Sequence, residues 1–137
     1  MTAAPLTFDS PAGLPITIQI NATPLTGDGT QVMLDVTKPF VVDATLDRPT
    51  NTLYAATLIE VDASGATVTK KAIADMVVVD KPEFKFPAGL LVAGHMYFVR
   101  VGCYQGGFTA AASGDPQTVT LPYSIGTLDS GVFTVMP

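Results

Sequence analysis

Short runs of alternating apolar and polar residues dominate the chain. In residues 40–46, FVVDATL, the apolar side chains at every second position fall on one face of an extended strand, with Asp43 and Thr45 on the other. Residues 83–86, EFKF, alternate in the same way. Period-two patterns of this length predict half-buried β-strands.

Further strands are predicted where apolar runs lie between turn signals, at residues 16–20, 32–36, 53–61, 66–74, 95–103, 117–121 and 131–135. Residues 62–65, DASG, are predicted to be a hairpin turn in which Gly65 takes a positive φ. Eleven prolines and twelve glycines are spread along the chain and leave little room for a stable helix. About seven to nine short strands predict an all-β, antiparallel β-sandwich.

The domain organisation is simple. With 137 residues the chain fits one domain, and we expect an extended N-terminal arm at 1–15 before a single β-sandwich domain at 16–137. Three prolines favour extended backbone in the arm. Its apolar side chains, Leu6, Phe8 and Leu14, are candidate contacts to a partner. A frayed terminus is the alternative.

The passage 90-LLVAGHMYFVRV-101, which follows 84-FKF-86, carries a family resemblance. It resembles the passage between strands E and F of fibronectin type III and related immunoglobulin-like domains, where a tyrosine bonds back to the preceding corner. The resemblance implies an immunoglobulin-like fold, with Leu90 in the core, Gly94 in the turn and Tyr97 as the corner tyrosine. The chain has no tryptophan for the usual strand-C position, so the resemblance requires Tyr54 or Leu58 to fill that space.

The only histidine and the only cysteine of the chain lie in this same stretch. Alternation predicts one inward row of side chains: His95, Tyr97, Val99, Val101 and Cys103. Cys103 is then a buried, unreactive thiol, and His95 is a hydrogen-bonded structural side chain at the corner. The opposite row forms a candidate partner interface of Met96, Phe98, Arg100 and Tyr104. Alternatively, the loop at 105–117 covers this row.

The sequence predicts no enzyme, no catalytic residue and no cofactor. The motifs GxSxG, GxxxxGK[ST] and GxGxxG are all missing. His95 and Cys103 are roughly 26 Å apart on an extended strand, too far to pair. A single cysteine forms no internal disulfide and no multi-cysteine metal site, so no metal is expected. The carboxylates of Asp43, Asp47, Glu60 and Asp62 are expected to face outward.

Composition points to an assembly component. Only 14% of residues are charged, against about 25% in typical domains, so part of the surface is expected to be apolar and covered by a partner. The net charge of −5 comes from scattered acids, and Lys70–Lys71 is the only adjacent basic pair. Nucleic acid and membranes are therefore not expected as partners. The N-terminus shows no signal-peptide pattern.

The chain is similar in style to small β-proteins that decorate bacteriophage capsids, the head accessory proteins. The likeness rests on a plain methionine start, the missing tryptophan and disulfides, and a composition rich in Ala, Thr, Val and Gly. It implies a virion protein on the capsid surface, made in the host cytoplasm, that bridges coat-protein subunits or copies of itself as a homo-oligomer or multivalent assembly.

A recognition module is the alternative function, such as a sugar- or host-binding domain of a fibre or adhesin. Binding would then use the predicted end loops at 105–117 and 122–131, where Tyr104, Phe108 and Tyr123 would stack on a sugar ring.

Overall fold

Two β-sheets form the part of the chain that the computed structural model describes, which is residues 15–47, 53–106 and 123–137. These ranges contain ten strands and no helix. The strands are β1 (Pro15–Ile20), β2 (Thr23–Pro24), β3 (Thr30–Met33), β4 (Phe40–Leu46), β5 (Leu53–Asp62), β6 (Thr69–Val78), β7 (Glu83–Phe86), β8 (Met96–Gly106), β9 (Tyr123–Asp129) and β10 (Phe133–Met136). The predicted all-β sandwich is confirmed.

Strand order separates a small sheet from a large one. The small sheet runs β2-β1-β4-β7 and the large sheet runs β3-β10-β8-β5-β6. Strand β9 also pairs with β8, opposite residues 100–106, whereas β10 pairs with residues 96–97. All pairings are antiparallel except that of β3 with β10. Because β6 and β3 end the order, each leaves one side without a strand among the described residues.

A single core fills the space between the sheets. Phe40 stacks on Phe86 within the small sheet, with ring centroids 5.3 Å apart, and Tyr97 lies 6.0 Å from Phe133 within the large one. Most of the remaining core side chains are aliphatic, apart from Tyr54, Phe84 and Cys103, and the described residues include no buried charged or polar residue. Burial of apolar surface therefore supplies the stability of the sandwich.

Several strand predictions match the structure and others need correction. The strands at 40–46 and 83–86 have the predicted bounds. Strand β6 begins three residues later than predicted, and Gly65 is not among the positive-φ glycines, so the predicted turn chemistry is wrong. Residues 123–129 form β9, where a loop was predicted. The predicted strand at 117–121 lies outside the described residues, as does the arm up to residue 14, and Pro15 belongs to β1.

A close backbone contact joins two segments that are distant in the sequence, residues 25–28 and 131–132. A Cβ atom added to Gly131 would collide with the carbonyl oxygen of Gly27. The N–H of Gly131 donates to the carbonyl of Leu25, and the N–H of Val132 donates to the Asp28 carboxylate. The segment before β3 is thereby held on the break between β9 and β10, which sets the parallel register of β3 on β10.

Candidate functional site

The corner between β7 and β8 has a tyrosine at its centre. The Tyr97 hydroxyl accepts a 2.9 Å hydrogen bond from the backbone N–H of Val92. Burial raises the pKa of the Tyr97 phenol, while the bond from Val92 lowers it and the Glu60 carboxylate raises it further. Gly94 turns the chain with a φ of +84°. Of the two leucines, Leu91 is the buried one, and Leu90 is half-buried and packs against the core.

His95 lies in the turn immediately before β8. It precedes β8, and its side chain is about half exposed, so its predicted place in the inward row is wrong. Its Nδ1 lies 2.5 Å from Oε1 of Glu60, which pairs in register with Tyr97. The His95 carbonyl accepts from the N–H of Val135. His95 therefore links β5, β10 and the turn before β8.

A groove of about 780 Å³ opens beside this pair. Its polar lining includes Asp62, Ser64, Thr69 and Lys71 from the β5–β6 hairpin. The hydroxyl and the N–H of Ser64 both donate to Asp62, and these bonds hold the pKa of that carboxyl below its usual range. The Ser64 hydroxyl is thus directed to Asp62 and away from His95, whose observed partner is Glu60. The bonds from Ser64 to Asp62 stabilise the β5–β6 hairpin, and the His95–Glu60 pair stabilises the turn before β8.

Metal-ligating side chains do not gather in the described part of the chain, where no three His, Cys, Asp or Glu residues lie close enough together to hold an ion.

The thiol of Cys103 is fully buried on the inner face of β8. Burial raises its pKa to about 11, and the Asp47 carboxylate adds to this effect. The thiol is therefore neutral near pH 7 and closed to reagents.

The predicted interface row on β8 is only partly open. Arg100 is exposed and Met96 and Tyr104 are half-buried, but Phe98 is 5% exposed, so its predicted role as an open contact is wrong. Ile59, directly opposite Phe98 on β5, is also buried. An apolar pair therefore lies shielded on the outer face of the large sheet.

Three charged side chains interact on this face, and we call Lys70, Arg100 and Asp129 the outer-face cluster. The ammonium of Lys70 lies 5.4 Å from the centre of the Phe98 ring, within range of a cation–π contact. Arg100 donates from Nε and Nη2 to the two carboxylate oxygens of Asp129, at 2.7 and 2.9 Å. Arg100, and less strongly Lys70, lower the pKa of Asp129, while that carboxylate raises the pKa of Arg100.

Exposed apolar side chains lie elsewhere, mostly near the margins of the sheets. The large ones among the described residues are Ile16, Met33, Val68, Val77, Val79, Val92 and Ile125. Met33 is 74% exposed and lines a groove of about 490 Å³, which we call the β3 groove. Its other lining residues are Leu34, Asp35, Val36, Ala93 and Pro137. One sequence feature could have indicated the β3 groove. In 32–36, VMLDV, a methionine occupies the outward position of a strand pattern.

The remaining predicted sites divide between strand and undescribed chain. Leu6, Phe8 and Leu14 lie outside the described residues, as does most of the predicted loop at 105–117. Most of the predicted end loop at 122–131 is β9, which pairs with β8 from Tyr123 to Asp129. The structure therefore does not bring the two predicted recognition loops together as a described site.

The comparisons with known proteins find no match of either kind. No protein-family model matches the chain, and no curated protein is found as its relative. In the described ranges, where every element is a strand, there is no helix that could cross a membrane.

Proposed function

We propose that this chain is a non-enzymatic structural protein of a phage particle, a capsid decoration protein that stabilises the shell by bridging coat subunits. The observation that carries the proposal is the set of large apolar side chains that the described surface leaves exposed. The cysteine is buried and the histidine is paired with Glu60, whereas large apolar side chains are exposed. This combination suits a protein that works by contact.

The β3 groove is the part of the surface best suited to a coat subunit. Its lining is mainly apolar, and Met33 and the neighbouring corner residue Val92 are both largely exposed. Methionine is flexible and adapts to the shape of an apolar partner. At about 25 cal/mol for each Å² of apolar surface buried, even a modest contact gives a useful gross free energy, and repetition over the shell adds avidity.

The fibronectin-like corner supports the scaffold part of the proposal. The bond from the Val92 N–H to the Tyr97 hydroxyl fixes the loop that carries Val92 and Ala93 next to the groove. A rigid presentation of this kind lowers the conformational entropy lost on binding. We therefore include in the proposal that the domain is a member of the immunoglobulin-like family, as inferred from residues 90–101.

The N-terminal arm is proposed as the second contact with the shell. Leu6, Phe8 and Leu14 alternate with polar residues and prolines, a pattern suited to an extended segment laid along a neighbouring subunit. Deletion of residues 1–14 removes these side chains and leaves β1 intact. We expect weaker binding to the particle with an unchanged melting temperature.

The direct test is cosedimentation of the purified chain with phage shells stripped of their accessory proteins. Met33→Lys places a charge in the β3 groove and should reduce the bound fraction roughly tenfold, the effect of about 1.4 kcal/mol. The matched control is Ile16→Lys, which changes another exposed apolar residue in the small sheet. Equal binding by both variants and the parent would exclude the groove, and failure of the parent to bind any shell would refute the decoration role.

A further inference from the structure

Within the described part of the chain, strand β6 is a long open edge with an unusual set of side chains. It spans ten residues and ends the order of the large sheet. Val68 immediately before it, Val77 within it and Val79 just after it are all exposed. Long exposed edges invite pairing with another strand, and proteins normally block this with charges or bulges.

A bulge in β6 determines which side chains share a face. Leu58 of β5 lies opposite Ala74, and the next residue, Ile59, lies opposite Ala72, so Ile73 is an extra residue in β6. The alternation of faces is therefore shifted by one residue across Ile73. As a result Lys70 and Asp75, which differ by an odd number, both lie on the outer face of the sheet.

Two contacts support this assignment. Lys70 lies over the ring of Phe98 on the outer face, and Asp75 accepts a 2.6 Å bond from the hydroxyl of Thr57, its register partner on that face. Continuing the alternation outward from each of them places Val68 and Val77 on the outer face as well. The edge thus presents, in order, valine, lysine, the bulge, aspartate and valine.

We infer that β6 pairs with β6 of a second copy of this chain, antiparallel and across a two-fold axis at the bulge. In this register Lys70 lies opposite Asp75 of the second copy, and Val68 lies opposite Val77 of the second copy. The symmetry repeats each pair, giving two apolar pairs and two opposite-charge pairs on one face. Directly opposed pairs of both kinds stabilise antiparallel strands.

The bulge makes this register possible. In two regular strands related by such an axis, the paired residues differ by an even number, because only these share a face. Lys70 and Asp75 differ by an odd number and share a face only because Ile73 is extra. A strand without this spacing places a mismatched side chain opposite Lys70, so the edge favours its own copy over other open edges.

Cysteine pairing tests the register directly. We expect an equimolar mixture of Val68→Cys and Val77→Cys chains to form a disulfide-linked dimer on mild oxidation, while each variant alone stays uncrosslinked by this route. Both positions are exposed, so folding is preserved, and Cys103 is buried and does not compete. Crosslinking that is no greater in the mixture than in the single variants would overturn the register.

Charge reversal tests the pairing without new cysteines. Lys70→Asp and Asp75→Lys should each raise the dimer dissociation constant roughly tenfold, because like charges then face each other twice. The double variant, which exchanges the two charges, should restore the parent value. Lys71→Asp is the control, since Lys71 lies opposite Ala74 of the second copy in this register. Circular dichroism checks that each variant is folded.

Sedimentation equilibrium of the parent chain tests whether the dimer forms at all. A parent that stays monomeric at millimolar concentration overturns the proposal, as does a double variant that fails to recover dimerisation while remaining folded. The measurement uses the chain alone. Its result is therefore independent of whether the chain binds a phage shell.

Discussion

The two faces of β8 come from the same stretch of sequence but stabilise the protein in different ways. On the inner face Tyr97, Val99, Val101 and Cys103 are almost completely buried in the core. On the outer face Phe98 is also buried, but beneath Lys70 and beside an arginine–carboxylate pair. One face excludes water with apolar side chains from the opposite sheet. On the other, Lys70 lies over the ring of Phe98 and remains exposed to solvent.

This difference shows that burial has two origins with different energetic consequences. Core burial removes apolar area from water and fills space, so a deletion leaves a cavity. A cover of charged side chains is solvated and rearranges when one member is removed, since exposed ion pairs contribute little. We therefore expect changes on the inner face to be much more costly than equivalent changes on the outer face.

The largest expected effect is the contrast in stability between two adjacent residues of β5, Leu58 on the inner face and Thr57 on the outer face. Leu58→Ala should lower the free energy of unfolding by about 2–5 kcal/mol, because Leu58 is fully buried between the sheets. Thr57→Ala removes the outer-face bond to Asp75 and should cost about 0.5 kcal/mol. Urea denaturation of both variants measures the contrast. Similar losses would show that the two faces are not energetically distinct.

A smaller effect is expected at the corner. Tyr97→Phe keeps the ring in the core but removes the acceptor for the Val92 N–H, which should cost about 1–2 kcal/mol. Amide exchange gives an independent reading, because the Val92 N–H should exchange much faster in the variant than in the parent. Unchanged exchange at Val92 would mean that another acceptor replaces the hydroxyl.

The inner face should also make stability sensitive to alkaline pH. Since the folded pKa of Cys103 is raised to about 11, the thiol stays neutral when folded but ionises in the unfolded chain above its ordinary value of about 8.5. Its stabilising effect is complete below that value and is lost as the pH rises toward 11. Tyr97 contributes a dependence of the same sign, because its pKa is also raised.

The Cys103→Ala variant isolates the thiol from the tyrosine. The loss of stability between pH 8.5 and 11 should be smaller in this variant than in the parent, as measured by thermal unfolding. In the parent, a thiol reagent at pH 8 should label Cys103 only after denaturant is added. Rapid labelling of the folded parent would contradict the sealed inner face.

The smallest effect is expected from the outer-face cluster. Asp129→Asn weakens the bidentate pair with Arg100 and should cost about 0.2–1 kcal/mol near pH 7. Because the folded pKa of Asp129 is lowered, its contribution is present above the ordinary aspartate value of about 4 and is lost as the pH falls below it. Asp35 and Asp62 act in the same direction, so the quantity to measure is the difference between variant and parent. A variant with the same acid profile as the parent would exclude this linkage.

The sequence predicted the inner face well because that face obeys a local rule. Alternation alone identified the strands at 40–46 and 83–86 and the buried row on β8 from Tyr97 to Cys103. It failed for β9, where Gly126 interrupts the apolar positions of YSIGTLD and weakens the strand signal. Local patterns therefore sufficed wherever a strand packs on the core with regular side chains.

The outer face could not be predicted in the same way. The outer-face cluster combines Lys70 from β6, which lies over Phe98, with Asp129 from β9, which binds Arg100; these residues are distant in sequence and meet only after the sheet has formed. Likewise, the partner of His95 is Glu60, which lies 35 residues earlier. The histidine's position could be read from the turn signal at Gly94, but its carboxylate partner required the register of β5 on β8.

The parallel contact of β3 with β10 has a consequence for biosynthesis. Thr30 pairs with Phe133, so about a hundred residues must leave the ribosome after β3 before the strand that it pairs with among the described residues exists. Non-local pairings of this kind slow folding, and until then the segment around Met33 is an unpaired strand accessible to chaperones and to other nascent chains. A growing polypeptide of this sequence is therefore expected to acquire its native large sheet only once β10 has left the ribosome.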